Sequence, residues 1–366
     1  MELKEILLRD FRNYECVSLG FDPGVNLIVG NNAQGKTNLL EAISYLGTGK
    51  SFRAQRSAEM VRFGADFADI TGIVHSQQRQ QSLRWVIFGA NRPRQLWRNG
   101  AKKKTASDIA GVLQTVLFCP EDLMVLKAGS SARRRLGDHA LCQLRPNYEA
   151  ALTEYNRILE QKNRILKDRF ENPLVTDILP EYNARLCQVG ALLISYRARF
   201  FEGLGKAAAK YHSHFSGGNE EFLLHYSTVS TITDPFAPVD TLREQLQAHL
   251  QSYYRAELES AQCLTGPHKD DFSVTLSGID LKSYGSQGQT RTAAISLKLA
   301  QRELMASQSG EMPVLLLDDV LSELDPGRQD FVLNQITEGQ VFITCCEPGQ
   351  FTKLGKNIEI CKGQVV

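Results

Sequence analysis

The sequence lacks the features that would direct it into a membrane or out of the cell. No apolar run approaches the ~18 residues that a membrane-spanning helix needs. Residues 1–5 include two glutamates where a secretory signal peptide carries positive charge followed by an apolar stretch. We therefore expect a cytoplasmic protein with no membrane partner.

Cysteines with the spacing of a metal site are also lacking. The chain has eight cysteines, but none form a CxxC pair, and no combination of cysteine and histidine has the spacing typical of zinc. We expect reduced thiols that are buried or inert. The length of 366 residues and the apolar content of 42% are ordinary for a globular protein of about two domains.

Overall charge is small, because the net charge of +1 creates no general attraction for nucleic acid. Its distribution is uneven: residues 70–107 contain no acid, whereas residues 311–338 carry seven acids and one basic residue, Arg328. A second basic run occupies residues 133–135. The first stretch is either a surface for a polyanion or a solvated hairpin, and charge alone does not decide. The candidate DNA contacts there are Arg92, Arg94, Arg98, Lys102, Lys103 and Lys104.

One loop matches the phosphate-binding pattern GxxxxGKT without a break. Its residues are Gly30, Asn31, Asn32, Ala33, Gln34, Gly35, Lys36 and Thr37. An apolar stretch typical of a buried strand precedes it at 25–29, and helical spacing of apolar residues follows at 38–46. Loop N–H groups and the helix N-terminus face an anion in this arrangement, Lys36 adds positive charge, and Thr37 offers a hydroxyl to Mg²⁺. The loop therefore predicts binding of a nucleoside triphosphate.

A second GKS sequence follows at residues 49–51 but lacks this context. What precedes it is the end of a helix rather than a strand. We interpret residues 47–51 as a helix C-cap followed by a loop.

Two acids follow an apolar strand late in the chain. Residues 314–317 are four consecutive aliphatic side chains, and Asp318 and Asp319 come next. A central parallel strand that delivers a Mg²⁺ ligand has this pattern, although a core strand can also end in Asp-Asp by chance. We expect Asp318 to hold the metal and Asp319 to polarise the attacking water, with Lys36 as the other catalytic group.

A helix start and a short acidic loop flank this strand. Ser286, Gly288 and Gln289 open a predicted helix, and a serine and glycine at a helix N-terminus present a hydroxyl and N–H groups to an anion. In ABC-type ATPases this signature motif caps the γ-phosphate of ATP bound by a second subunit. Residues 322–325 match the D-loop of that class, which lies along the dimer interface, so Asp325 belongs to the same predicted site.

The coarse pattern along the chain is α/β with a helical insertion. Strand patterns dominate the first third, and residues 95–98 followed by Asn99-Gly100 predict a type I′ hairpin. Long helical patterns occupy 148–169 and 175–211. We therefore expect an ATPase domain formed by residues 1–120 and 217–366, interrupted by a helical arm at residues 121–216.

Several blocks resemble the RecF family, which is related to the ABC-type heads of SMC proteins. They lie at residues 9–13, 49–53, 120–123, 265–271 and 317–325, so the resemblance spans the chain. It implies an ABC-type P-loop ATPase head with mixed sheets around a central helix, with Arg12 and Asn13 near the nucleotide. It further implies ATP and Mg²⁺ as cofactors, an ATP-dependent homodimer and DNA-stimulated ATP hydrolysis. We expect that hydrolysis to be slow, because Asp319 is one methylene shorter than the glutamate of faster ABC-type ATPases. The implied partners are double-stranded and gapped DNA, RecR, and RecO through RecR, in loading recombinase at gaps.

The alternative function is the nucleotide-binding subunit of an ABC transporter. The predicted strand at 340–344 ends in Thr-Cys instead of the histidine of transporter ATPases, which argues against a transporter subunit.

Two local expectations concern single residues of the arm and of the 265–271 block. Residues 136–138 read Leu-Gly-Asp where the family usually has Phe-Leu-Asp, which we expect to loosen a turn. His268 either senses the nucleotide or orders the arm, or it simply hydrogen-bonds a backbone carbonyl in a Gly-Pro turn.

Overall fold

The computed structural model describes residues 1–77, 79–89, 92–171, 173–346 and 353–366. These form two compact units, of which the first comprises Met1–Met124 with Arg291–Val366 and the second Val125–Thr290. Residues 217–290, expected in the ATPase domain, therefore group with the helical arm. No helix in the described ranges is both long and apolar enough to cross a membrane.

The first unit begins with strands on either side of the predicted phosphate loop. In chain order its elements up to residue 124 are β1 (Glu2–Phe11), β2 (Tyr14–Gly20), β3 (Val25–Val29), α1 (Lys36–Thr48), β4 (Phe67–Ser76), β5 (Arg79–Phe88), β6 (Gln95–Arg98), β7 (Ala101–Lys103) and β8 (Thr115–Phe118). Gly49 caps α1 in the left-handed conformation, with φ of 63°. The second GKS is thus a helix end followed by a loop, as predicted.

The second unit is mainly helical and carries one small sheet. Its elements are α2 (Ser130–Leu144), α3 (Pro146–Asp168), α4 (Leu179–Ser216), β9 (Phe222–Ser227), α5 (Val239–Ser260), β10 (Asp271–Leu276), β11 (Ile279–Asp280), α6 (Leu281–Tyr284) and the start of α7 (Gln287–Ser309). Strands β9, β10 and β11 form the antiparallel order β11-β10-β9.

The chain then returns to the first unit with the rest of α7. The following elements are β12 (Val314–Leu317), α8 (Pro326–Gln335), β13 (Val341–Cys345), β14 (Lys356–Cys361) and β15 (Gln364–Val365). One sheet has the order β15-β14-β3-β13-β12-β8, parallel except for β15, and the other is antiparallel with the order β2-β1-β4-β5-β6-β7. Helix α1 buries Leu39, Leu40, Ile43 and Leu46 in a core that contains side chains of both sheets. The expected ABC-type fold, with mixed sheets around a central helix, is confirmed.

Buried ion pairs hold the second unit together. The Arg197 guanidinium on α4 is 3% exposed and bonds Asp138 on α2 at 2.9 Å and Asp270 at 2.8 Å. Arg133, also on α2, pairs with Asp271 at 2.6 Å. Removing one partner of such a buried pair leaves an uncompensated charge, which typically costs ~3–5 kcal/mol. Asp270 and Asp271 of the 265–271 block therefore connect helices α4 and α2 within this unit.

Gly137 does not loosen a turn, and that expectation was wrong. It lies inside α2, where a Cβ atom would come within 2.6 Å of the Phe201 ring. The missing side chain makes room for that ring, and the next residue, Asp138, pairs with Arg197.

His268 makes the expected hydrogen bond to a backbone carbonyl and also contacts helix α3 of the arm. Its Nε2 donates to the backbone carbonyl of Cys263 at 3.0 Å, and its Nδ1 accepts from the Tyr155 hydroxyl at 2.7 Å. This pattern requires a neutral imidazole. Burial lowers the pKa of His268 from its usual 6.5 to about 4.

The depressed pKa of His268 predicts a loss of stability in mild acid. The unfolded chain binds a proton near pH 6.5 and the folded chain only near pH 4. Stability from this group is therefore complete above pH 6.5 and is lost as the pH falls towards 4. Between pH 7 and pH 5 the free energy of unfolding should drop by ~1–2 kcal/mol through this residue.

Urea denaturation of the wild type and of His268→Gln at both pH values measures this effect. The variant should lose less stability than the wild type over the same interval, whatever its stability at pH 7. Equal losses in the two proteins would contradict the assignment.

Candidate functional site

The phosphate loop joins β3 to α1 with a backbone that only small residues permit. Ala33 and Gly35 have φ angles of 64° and 123°, and a Cβ on Gly35 would lie 2.8 Å from the Asn13 side chain. Helix α1 begins directly afterwards at Lys36. The loop therefore wraps closely around the helix N-terminus, the geometry that binds phosphate.

The Lys36 side chain is fixed beside this loop by hydrogen bonds to the loop backbone. It is 5% exposed, and its Nζ donates to the carbonyl oxygens of Gly30 at 2.6 Å and Asn31 at 3.2 Å. The Cys346 sulfur lies 3.4 Å from the same ammonium and 3.0 Å from Asn32 Oδ1. These contacts fix a positive charge beside the loop.

Two hydroxyls and two carboxylates meet next to Lys36. Thr37 Oγ1 donates to Asp318 Oδ1 at 2.9 Å, so the two predicted metal residues are adjacent. Thr344 Oγ1 accepts the Asp319 backbone N–H at 2.8 Å and lies 3.0 Å from Asp318 Oδ1 and 3.2 Å from Asp319 Oδ1. Burial raises the pKa of Asp318, and the two hydroxyls partly oppose that shift. Hydroxyl and carboxylate oxygens suit Mg²⁺.

Thr344 is a site residue that sequence reasoning did not identify. In the sequence it stands out only because the predicted strand at 340–344 ends in Thr-Cys where transporter ATPases have a histidine. Because β12 and β13 are parallel neighbours with Leu317 opposite Ile343, the residues that follow them, Asp318 and Thr344, share one sheet edge. A small polar residue at the end of a predicted buried strand was the available signal.

Arg53 is a second residue that was missed. A cavity of about 300 Å³ is lined by Asn32, Ala33, Gly35, Lys36, Thr37, Asn38, Arg53 and Asp319. Arg53 Nη1 donates to Asn38 Oδ1 at 3.1 Å, and its charge partly opposes the rise in the pKa of Asp318 that burial causes. The guanidinium therefore adds a second cation to a cavity built around the phosphate loop.

Arg12 and Asn13 lie beside the loop but have different partners. Arg12 forms a two-point ion pair with the buried Glu41 of α1, with both N–O distances at 2.8 Å. Asn13 Nδ2 donates to the carbonyl of Gln34 at 2.8 Å. The Gln34 side chain accepts the Lys362 N–H at 2.6 Å. Arg12 thus braces α1, and Asn13 supports the loop itself.

The signature residues form a closed cap at the start of α7. Ser286 Oγ accepts the Gln289 N–H at 3.2 Å, and Gln289 Oε1 accepts the Ser286 N–H at 3.1 Å. Ser286 is exposed, and Gly288 follows within the first turn of the helix. These residues lie in the second unit, whereas Asp325 lies in the first, where its side chain caps α8.

The basic residues of the hairpin differ in how free they are. Arg92, Arg94, Lys102 and Lys104 are exposed, and Arg98 and Lys103 are half-buried. Arg92 lies over the Phe88 ring at 5.9 Å and Lys102 over the Trp97 ring at 5.8 Å. Arg94 stacks on Trp85 at 4.9 Å and bonds the Gly49 carbonyl, and Arg98 bonds Gln81 at 2.9 Å. Arg133, from the other basic run, is buried with Asp271. The charge count therefore overstated the cations available to a ligand.

The expectation for the cysteines is only partly met. The cysteines of the chain are all reduced, and Cys187 and Cys263 are buried, but Cys16, Cys346 and Cys361 are exposed. Burial raises the pKa of Cys263 to about 11.

Comparison with known proteins identifies the family. The protein family described as RecF/RecN/SMC N terminal domain matches this chain over residues 2–365. The DNA replication and repair protein RecF of Agathobacter rectalis is 39% identical over 100% of this chain and 99% of its own length. The chain belongs to the RecF family. RecF of Symbiobacterium thermophilum is 38% identical over 95% of this chain and 92% of its own length.

Solved structures agree with this assignment. The recombination mediator protein RecF-ATP of the RecFOR pathway has a TM-score of 0.90 at 34% identity, covering 100% of this chain and 96% of that one. An Smc head bound to the C-winged helix domain of ScpA covers 100% and 98% with a TM-score of 0.57 at 17% identity, which shows a shared fold. Similarity to RecF over the full length does not favour a transporter subunit.

The contacts of Thr344 predict a specific effect on ATP hydrolysis. Thr344→Val keeps the shape but leaves the Asp319 N–H without its acceptor and removes the donor to the carboxylates. We expect turnover to fall about tenfold, equivalent to ~1.4 kcal/mol in the barrier, with ATP affinity within about threefold. Steady-state hydrolysis and nucleotide titration measure the two quantities.

Thr344→Ser is the matched control, since it retains the hydroxyl and loses only a methyl group. Its turnover should stay near that of the wild type. A valine variant with unchanged turnover would show that Thr344 does not position the carboxylates.

Proposed function

We propose that this chain is an ATP-gated DNA-binding protein of recombinational repair. The observation that carries the proposal is the cluster of Lys36, Thr37, Asp318, Asp319 and Thr344 around one phosphate loop. Its support is the membership in a family of DNA replication and repair proteins and the ATP-bound structure of a relative.

Each residue of the cluster has a defined task in this proposal. Lys36 and the N–H groups of the loop hold the β- and γ-phosphates. Thr37 and Asp318 would hold Mg²⁺, which neutralises phosphate charge when bound. Asp319, oriented through its N–H bond to Thr344, accepts a hydrogen bond from the attacking water. Aspartate is one methylene shorter than the glutamate of faster ABC-type ATPases, so we expect weak ATPase activity that DNA stimulates.

The second half of the site comes from another copy of the chain. Ser286, Gly288 and Gln289 of one protomer face the γ-phosphate bound by its partner, and Asp325 lies along the interface. The Ser286 hydroxyl accepts from the Gln289 N–H, so its own proton is available for a phosphate oxygen. ATP therefore links two chains into a homodimer.

DNA binding is assigned to the exposed cations on and beside the β6–β7 hairpin. Arg92, Lys102 and Lys104 present charge to solvent, whereas Arg98 and the exposed Arg94 contribute less because they hydrogen-bond within the chain. Such contacts reach phosphates and not base edges, so binding to double-stranded and gapped DNA is independent of sequence.

The cellular role follows from the relatives. A solved relative is a recombination mediator of the RecFOR pathway, which supports RecR, and RecO through RecR, as partners in loading recombinase at gaps. This work takes place in the cytoplasm. The alternative, a transporter subunit, has no observation in its favour.

Dimerisation on ATP is the direct test of the composite site. Sedimentation with ATP and Mg²⁺ should show a dimer for the wild type and a monomer for both Lys36→Ala and Ser286→Arg. The two variants differ in cause, since only Lys36→Ala should also lose ATP affinity. A wild-type monomer at saturating ATP would refute the proposal.

The assignment of DNA contacts predicts a change in salt dependence. Replacing Lys102 and Lys104 by alanine should weaken duplex binding and reduce the slope of log affinity against log salt by roughly 2. Fluorescence anisotropy from 50 to 200 mM salt, with ATP present, measures this slope. Lys206 and Lys210, both exposed on α4, form the control pair. A slope that changes equally in both double variants would exclude the hairpin as the specific contact.

A further inference from the structure

The cap that orders the signature motif is held by a residue outside the motif. Gln289 uses its Oε1 to accept the Ser286 N–H, and its Nε2 donates to Glu220 Oε1 at 2.7 Å. The amide of Gln289 is therefore bound at both ends. Reversing it would place an oxygen against the Glu220 carboxylate and an NH₂ group against the Ser286 N–H, so the carboxylate fixes one orientation.

Glu220 is itself anchored to the long helix of the arm. Its Oε2 accepts from His212 Nε2 at 2.8 Å. His212 lies in the last turns of α4, is 0% exposed, and packs against the Phe222 ring at 5.4 Å between centroids. Because a carboxylate accepts, Nε2 carries the proton of this imidazole. The hydrogen bonds from Gln289 and His212 both lower the pKa of Glu220, so the carboxylate is ionised at neutral pH.

These contacts form a continuous connection within the second unit. It runs from His212 on α4 through Glu220 and Gln289 to Ser286. Each step is a side-chain hydrogen bond, and two of the three end on a carboxylate, which makes them stronger than neutral bonds. Glu220 lies between the α4 C-cap Gly217 and strand β9, and it joins this connection through its side chain.

We propose that Glu220 is a positioning residue that couples the end of the arm helix α4 to the signature motif and presents Ser286 to the ATP of a second protomer. The inference rests on the proposed function, because the role of Ser286 in a composite site does. Glu220 acts before the protomers meet. By fixing the Gln289 amide it keeps the cap closed, so less conformational freedom is lost when the Ser286 hydroxyl binds the phosphate.

If Glu220 only stabilised the second unit, truncating it would lower the melting temperature without changing the association of two chains. The Glu220 side chain is 29% exposed, so truncating it removes little packing. The first unit, with the phosphate loop, should bind ATP as before. The effect should instead appear in the association of two ATP-bound chains.

The test compares Glu220→Ala, Glu220→Gln and Glu221→Ala in the full chain. Glu221 is the matched control, since it is an adjacent exposed glutamate outside this connection. Sedimentation equilibrium with ATP and Mg²⁺ gives the dimer dissociation constant, nucleotide titration the ATP affinity of the monomer, and thermal unfolding the stability.

For Glu220→Ala we expect a dimer dissociation constant raised about tenfold, the size expected when a charge-assisted bond is lost. Monomer ATP affinity should match that of Glu221→Ala, whereas the melting temperature should fall modestly, because the buried His212 N–H loses its acceptor. The protein concentration for half-maximal ATPase activity should rise by the same factor, with the maximal rate at saturating protein unchanged. Glu220→Gln keeps an acceptor for Gln289 and should lie closer to the wild type.

Two results separate the failures. If the wild type dimerises and Glu220→Ala does so equally well, this inference is wrong while the proposed function stands. If the wild type itself remains monomeric, both are wrong. A Glu221→Ala variant as impaired as Glu220→Ala would also overturn the inference, because a general charge effect would then explain the result.

Discussion

The parallel pairing of β3, β13 and β12 is the constraint on which the candidate site depends. It places the ends of three strands at one sheet edge, so that Thr37 and Asp318, 281 positions apart in sequence, meet at 2.9 Å. Strands of this kind are buried on both faces, which explains the unbroken aliphatic run before Asp318. The contacts of Asp318 depend on that register, since a shift of one residue would move its carboxylate away from Thr37 and Thr344.

Features that depend on local sequence could be predicted from it. Strands β3, β6 and β12 have the expected bounds, and Asn99 and Gly100 have the positive φ angles of the predicted hairpin. The phosphate loop and the acidic strand were recognised because their spacing within the chain is fixed by their chemistry. The division into units was harder, because nothing local shows that residues 217–290 pack with the arm.

Contacts between distant residues could not be predicted. Arg133 and Arg92 look alike in the sequence, yet one is buried against Asp271 and the other is exposed. The difference depends on which carboxylate the fold brings near, and charge counts contain no such information. Thr344 and Arg53 were missed for the same reason, since each becomes part of the site only through its neighbours in space.

Helix α4 gathers the acids of the second unit along its length. Arg197 near its middle binds Asp138 and Asp270, and His212 near its end binds Glu220. Because each of these acids comes from a different segment, a rotation of α4 would break both ion pairs of Arg197 and the His212–Glu220 hydrogen bond at once. The signature motif is attached to the same helix through Glu220 and Gln289. A displacement of α4 would therefore also act on the side chains that hold Ser286, and its cost would include the loss of the Arg197 ion pairs.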